Sequence, residues 1–151
     1  MTRRDLSSAR DALRRAIDAD LADDDLVYVA LWTMLTEKKL GAPSNGAVAE
    51  ALAAVHDSTG WPSKLEAWAT GRLDDAGLLS AARTKSEKTE ATFYAAMAAD
   101  ARGDGKGALE RLRQVAASEA IELVEVVIAR DLVAESGTPM RPKPPEGVSL
   151  P

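Results

Sequence analysis

The chain contains no cysteine, so neither a disulfide framework nor a thiolate metal site is open to it, and a reducing compartment is expected. It has one histidine, His56, in 151 residues. Any Ser-His-Asp or His-metal constellation would have to be built on that single imidazole. Positive charge is not in excess: 19 Lys and Arg face 24 Asp and Glu, a formal net charge of -5, which argues against nucleic acid as a partner. No run approaches the roughly 20 apolar residues of a membrane-spanning helix. The start, Met1-Thr2-Arg3-Arg4-Asp5-Leu6, leads into a charged amphipathic pattern. It offers no signal-peptide core, no acylatable cysteine and no apolar stretch behind the paired arginines. Cytoplasm is the expected location. Aromatic residues make up only 4%, which excludes a large aromatic core.

What is present is alanine and helical periodicity. With 46% hydrophobic and 28% charged residues, the composition suits one globular domain. Runs such as Ala95-Ala96-Met97-Ala98-Ala99 make helix the favoured local state. The fold class expected is all-α.

The clearest segment runs from Glu90 to Ala117, where apolar residues fall at helical spacing on both sides of Gly103-Asp104-Gly105. It reads as two helices joined by a tight turn. Neither could bury its stripe alone, so similar neighbours are expected. From Asp5 to about Asp20, Leu6, Ala9, Leu13, Ala16 and Ile17 form an amphipathic stripe with Arg3, Arg4, Arg10, Arg14 and Arg15 turned away. A helix over about Asp25 to Lys39 is the most hydrophobic and should sit centrally, with Asp23, Asp24 or Asp25 as its cap. The breakers Gly41-Ala42-Pro43-Ser44-Asn45-Gly46 predict a loop. Helices should follow near Ala47 to His56, from Trp61-Pro62 to Gly71, and from Asp74 or Asp75 onward, with a loop at Thr84-Lys85-Ser86-Glu87. A last helix should carry Ile121, Val124, Val127, Ile128 and Leu132. This makes eight helices with short joints, hence a stack of hairpins over residues 1–136. Residues 137–151 hold five of the seven prolines and should form an extended or disordered tail.

Phe93-Tyr94, Ala96, Gly103-Asp104, Ala108, Leu112 and Val115 resemble a tetratricopeptide repeat, although Ala99 and Ala120 replace its second-turn tyrosine and closing proline. A wider set extends the pattern: Leu31-Trp32, Glu37-Lys38-Lys39-Leu40, Gly60-Trp61, Gly71-Arg72-Leu73, Thr92-Phe93-Tyr94 and Leu123-Val124-Glu125 with Ala129. Over most of residues 10–135 the chain is similar to the carboxy-terminal half of a bacterial tetratricopeptide lipoprotein family. Members of that family are adaptors for envelope proteases and cell-wall hydrolases. The resemblance implies a short right-handed solenoid and a non-enzymatic adaptor or scaffold that binds a partner peptide or helix. The family's lipid-attachment cysteine and export signal have no counterpart, so its location and clients are not carried over.

Other features have plainer readings. Asp18, Asp20, Asp23, Asp24 and Asp25 lack the alternation, central glycine and closing glutamate of a calcium loop, and read as a solvated helix joint. His56 reads as a helix-end residue. Arg102-Gly103-Asp104-Gly105-Lys106-Gly107 lacks the spacing and strand of a phosphate loop. Neither catalytic nor metal residues are assigned, and no cofactor is expected. The tail's two Pro-x-x-Pro patterns, Pro139 to Pro142 and Pro142 to Pro145, with Arg141 and Lys143, suit an extended ligand as well as a plain disordered end. Partner contacts are expected from Tyr28, Trp32, Trp68, Phe93 and Met97, because flat or flexible apolar side chains anchor partners at low entropic cost. The alternatives are a homo-oligomerising structural module, possible as a homodimer, and a small all-helical enzyme or enzyme regulator.

Overall fold

In the computed structural model, residues 3–19, 21–42 and 46–137 are described. They form eight α-helices and no strand. These are α1 (Arg3–Ile17), α2 (Asp23–Leu40), α3 (Ala47–Ala54), α4 (Gly60–Ala69), α5 (Asp75–Ala81), α6 (Lys85–Ala101), α7 (Gly105–Ala116) and α8 (Val124–Gly137). The tail's Pro-x-x-Pro patterns and the breakers Pro43, Ser44 and Asn45 lie outside the described residues.

Local chemistry sets the helix ends. Gly41 adopts a φ of 62°, which lets the chain turn back so that the N–H groups of Gly41 and Ala42 satisfy the carbonyls of Lys38 and Glu37. Gly103, at φ 85°, does the same between α6 and α7, where Asp104 N–H reaches the Ala99 carbonyl at 3.0 Å. Asp74 and Asp104 each accept a hydrogen bond from the glycine N–H three residues on, Gly77 or Gly107. A side chain at Gly107 would meet the Asp104 carboxylate. Thr84 to Glu87, expected as a loop, instead starts α6. Thr84 Oγ1 accepts from Glu87 N–H, and Glu87 Oε2 accepts from Thr84 N–H at 2.9 Å, a reciprocal cap.

Two helices form the interior. α2 packs on α1, α3, α4 and α6, while α6 packs on α2, α5, α7 and α8. Each is buried on more than one side, so neither shows a strong apolar stripe. Val27, Leu31 and Leu35 of α2 meet Leu65, Leu78, Phe93, Tyr94, Leu112, Val115 and Val126 in one core. Ala91, Ala95, Ala96, Ala98 and Ala99 leave α6 narrow, and α7 and α8 approach it with Ala108 and Ala129, all of these buried. A smaller core of Ala30, Val48, Ala51 and Leu52 fixes α3 to α2.

Two expected contacts differ. Asp23 does not cap α2, whose capping residue is Ala22. Its carboxylate instead accepts the backbone N–H groups of His56 at 2.8 Å and Asp57 at 2.6 Å, closing the chain after α3. Those bonds hold the Asp23 carboxyl below the ordinary aspartate range. On α8 the expected stripe is reversed in its first turns: Ile121, Val124 and Val127 are exposed, while Glu125, Val126 and Ala129 are buried. The small Ala129 lets α8 lie close, and the buried glutamate finds a hydrogen-bond donor inside.

Candidate partner-binding groove

Four helices leave a hydrocarbon-lined groove between them. α1 supplies Leu6, Ala9, Ala12 and Leu13, and α2 supplies Trp32, Leu35, Thr36 and Lys39. α6 supplies Phe93 and Met97, and α8 supplies Ile128, Leu132 and Glu135. Its volume is about 410 Å³, within the range of small-ligand and side-chain pockets. Among the described residues, Thr36, Lys39 and Glu135 are its only polar lining residues. The lining repeats at helical spacing, so every wall is a helix face.

Of the five residues expected to contact a partner, three meet here. Trp32 and Met97 are half-buried walls, whereas Phe93 is fully buried and forms the floor. The Phe93 ring lies 5.6 Å from Trp32 and 5.7 Å from Tyr94, centroid to centroid, in tilted and edge-on arrangements that favour aromatic pairs. The floor is thus closely packed.

Tyr28 and Trp68 lie elsewhere. The Trp68 ring lies tilted against Tyr94, 5.8 Å between centroids, and its indole N–H donates to Asp75 Oδ1 at 2.8 Å. Burial pushes the Asp75 carboxyl up, but the hydrogen bonds from Trp68 and Arg102 outweigh it and leave the net direction downward. The Tyr28 hydroxyl donates to Glu90 Oε2 at 3.1 Å.

That contact opens onto a polar cluster absent from the sequence-based expectations. Glu90 and Glu125 are 6% and 3% exposed. Trp61 Nε1 donates to the same Glu90 Oε2 at 3.1 Å, and the Tyr94 hydroxyl donates to Glu125 Oε1 at 3.2 Å. Neither glutamate has an ion-pair partner among the described residues. By contrast, buried Glu37 is held by Arg14, through Nε at 3.0 Å and Nη2 at 2.5 Å. Burial raises the carboxyls of Glu90 and Glu125 above the ordinary range, and burial with the adjacent carboxylates raises both tyrosines. The only available signal was carboxylates at helical spacing with buried neighbours. That spacing looks the same for solvated glutamates.

No protein-family model, curated protein or solved structure matches this chain. The remaining candidates settle into structural positions. Asp24 accepts from the Ser58 hydroxyl at 3.0 Å, so with Asp23 it ties the start of α2 to the α3–α4 joint. His56 is exposed and takes part through its backbone. Asp104 within the Arg102-Gly103-Asp104 turn caps α7, and Arg102 pairs with Asp75 at 2.8 Å. Among the described residues, no helix is long and apolar enough to cross a membrane.

Proposed function

We propose that this chain is a non-enzymatic interaction module, an adaptor or scaffold, that holds an amphipathic helix or peptide of a partner protein in the groove between α1, α2, α6 and α8. The observation that carries the proposal is the composition of that groove. Trp32, Met97, Ile128, Leu132, Leu6 and Leu13 present hydrocarbon over a buried Phe93 floor, with polar groups among the described residues only at Thr36, Lys39 and Glu135. Burying such a surface stabilises a complex by roughly 25 cal/mol per Å² before association costs. A helix with apolar residues at i, i+3, i+4 and i+7 supplies the matching face. Consecutive helices pack on one another over much of the chain, and α1 with α3, α2 with α4 and α6 with α8 are next-but-one neighbours. This order supports a short tetratricopeptide-like stack of hairpins, the architecture the sequence resemblance implies, although α2 also packs on α6 with three helices between them.

The test is selection from a displayed library of helical peptides, followed by binding to Met97→Asp and Leu132→Asp variants. The proposal expects enriched peptides with that apolar spacing and loss of binding in both variants while their thermal unfolding stays cooperative. Absence of enrichment, or binding indifferent to both substitutions, counts against it.

A second reading has its own observation. Ile121, Val124 and Val127 are 65%, 51% and 51% exposed on one side of α8 and the turn before it, a face on which a second copy could pack. Light scattering over a concentration series distinguishes the two: a mass rising to a dimer that Val124→Glu restores to monomer favours self-association.

A further inference from the structure

Three of the four helices that wall the groove, α2, α6 and α8, are also joined by the buried carboxylates. On α2, Tyr28 precedes Trp32 by one turn. On α6, Glu90 precedes Phe93 by one turn and Met97 by two. On α8, Glu125 precedes Ile128 by one turn and Leu132 by two. We propose that Glu90 and Glu125 form a proton-operated latch on the groove: the pair retains a proton while α2, α4, α6 and α8 are packed together, and losing it loosens the groove walls. The regulatory part rests on the groove being the binding site; the latch itself does not.

The geometry argues for a retained proton. Both glutamates are almost fully buried, and among the described residues the side-chain donors that reach them are neutral: Tyr28 and Trp61 on Glu90, Tyr94 on Glu125, which also takes its own backbone N–H. Two desolvated anions without a cation among the described residues cost more than neutral donors return, so the cluster retains a proton. The donors on Glu90 both fall on Oε2, which leaves Oε1 to carry the proton. The charged groups that act most strongly on the cluster are all acidic. Glu87 on α6 and Glu125 on α8 act on Glu90, and Asp24 on α2 acts on Tyr28. The two tyrosines face it from α2 and α6, α4 contributes only the neutral Trp61 indole, and no Lys, Arg or His appears among those groups from any packed element. None of the groove's lining residues belongs to the cluster, so it acts on the groove through the helices.

The sign follows. The folded carboxyls sit above the ordinary glutamate value of 4.5, so as pH rises past that value the unfolded chain gives up protons that the folded chain keeps. Stability falls through the window between that value and the raised folded values, then levels off. Asp23, Asp75, Glu87 and Glu119 are shifted the other way. Their contributions are lost below the ordinary range, so the two effects occupy separate windows.

The test uses the full chain, unfolded by urea at about pH 5.5 and about pH 8.5, with each titrating carboxyl changing the folding constant by about tenfold per pH unit inside its window. Wild type should have the lower midpoint at the higher pH. Glu90→Gln and Glu125→Gln, which keep an acceptor for the same donors, should raise the midpoint at the higher pH and flatten the profile. In parallel, 1-anilinonaphthalene-8-sulfonate should bind wild type several-fold more tightly at the higher pH, and the Gln variants should bind it alike at both. A wild-type midpoint that is flat or rises with pH overturns the latch. So do Gln variants that lose stability equally at both values. A falling midpoint with pH-independent dye binding overturns the coupling to the groove. Dye binding unchanged in Met97→Asp instead counts against the groove reading and leaves the urea result to decide the latch.

Discussion

Replacing Phe93 by alanine separates the floor of the groove from its walls. Phe93 has no exposed surface and contacts the Trp32 and Tyr94 rings at 5.6 and 5.7 Å, so truncation removes a complete aromatic side chain from a close-packed site. Such changes cost about 3–5 kcal/mol, the transfer loss plus the cavity left behind. A domain of this kind has a total stability of roughly 5–15 kcal/mol, so the variant should remain folded only with a narrow margin. At about 2–4 °C per kcal/mol for a chain of this length, its thermal midpoint should drop by roughly 6–20 °C. Met97 lies on the same helix one turn further on but is only half-buried. Met97→Ala should cost about 1–2 kcal/mol, since only part of its apolar area is withdrawn from water. Urea unfolding followed by circular dichroism measures both. The assignment of floor and wall is refuted if Phe93→Ala loses less than about 1 kcal/mol, or if Met97→Ala loses as much as Phe93→Ala.

Two further outcomes follow from the helix ends. Thr84→Ala removes one half of the reciprocal cap with Glu87 at the start of α6, and should cost about 1 kcal/mol in urea unfolding. Gly107→Ala should destabilise the protein although alanine is the better helix former. The new methyl group meets the Asp104 carboxylate and must displace that cap, whereas Gly105→Ala, with nothing within 4 Å, should be neutral or stabilising.

Much of the fold was legible because alanine-rich periodicity and turn residues agree. The Gly103-Asp104 joint, a helix start at Asp74 or Asp75, the Gly41 turn after Leu40 and eight helices could be read from residue type alone, since each depends on neighbours in sequence. Most of what escaped depends on distant partners; the exception is the Thr84-x-x-Glu87 capping box, which is local. Thr84 to Glu87 are polar enough to pass for a loop, and only the pairing of Thr84 with Glu87 makes them a helix start. Asp23 looks like a cap for its own helix, but the free amides that it satisfies belong to His56 and Asp57. Ile121, Val124 and Val127 have the spacing of a core stripe, yet α8 turns Val126 and Ala129 inward, a choice set by close approach to its neighbours. Glu90 and Glu125 are the deepest case. Carboxylates are read as surface until a fold supplies Tyr28, Trp61 and Tyr94 as donors. Three of the five residues singled out for partner contact meet at the groove. Hydrophobic type and helical spacing brought them into view, but not the difference between Phe93 as floor and Trp32 and Met97 as walls.

The most direct measurement of the groove's role is a titration of the protein, carrying ¹³C-methyl methionine, with a helical peptide selected for binding. Met97 lines the groove, whereas Met34 lies outside it beside Lys38 and Ala69. An adaptor that binds through this groove should show the Met97 methyl resonance moving in a saturable way while Met34 stays in place. A Met97 resonance unmoved at saturation, with binding reported instead at Met34, would contradict the account.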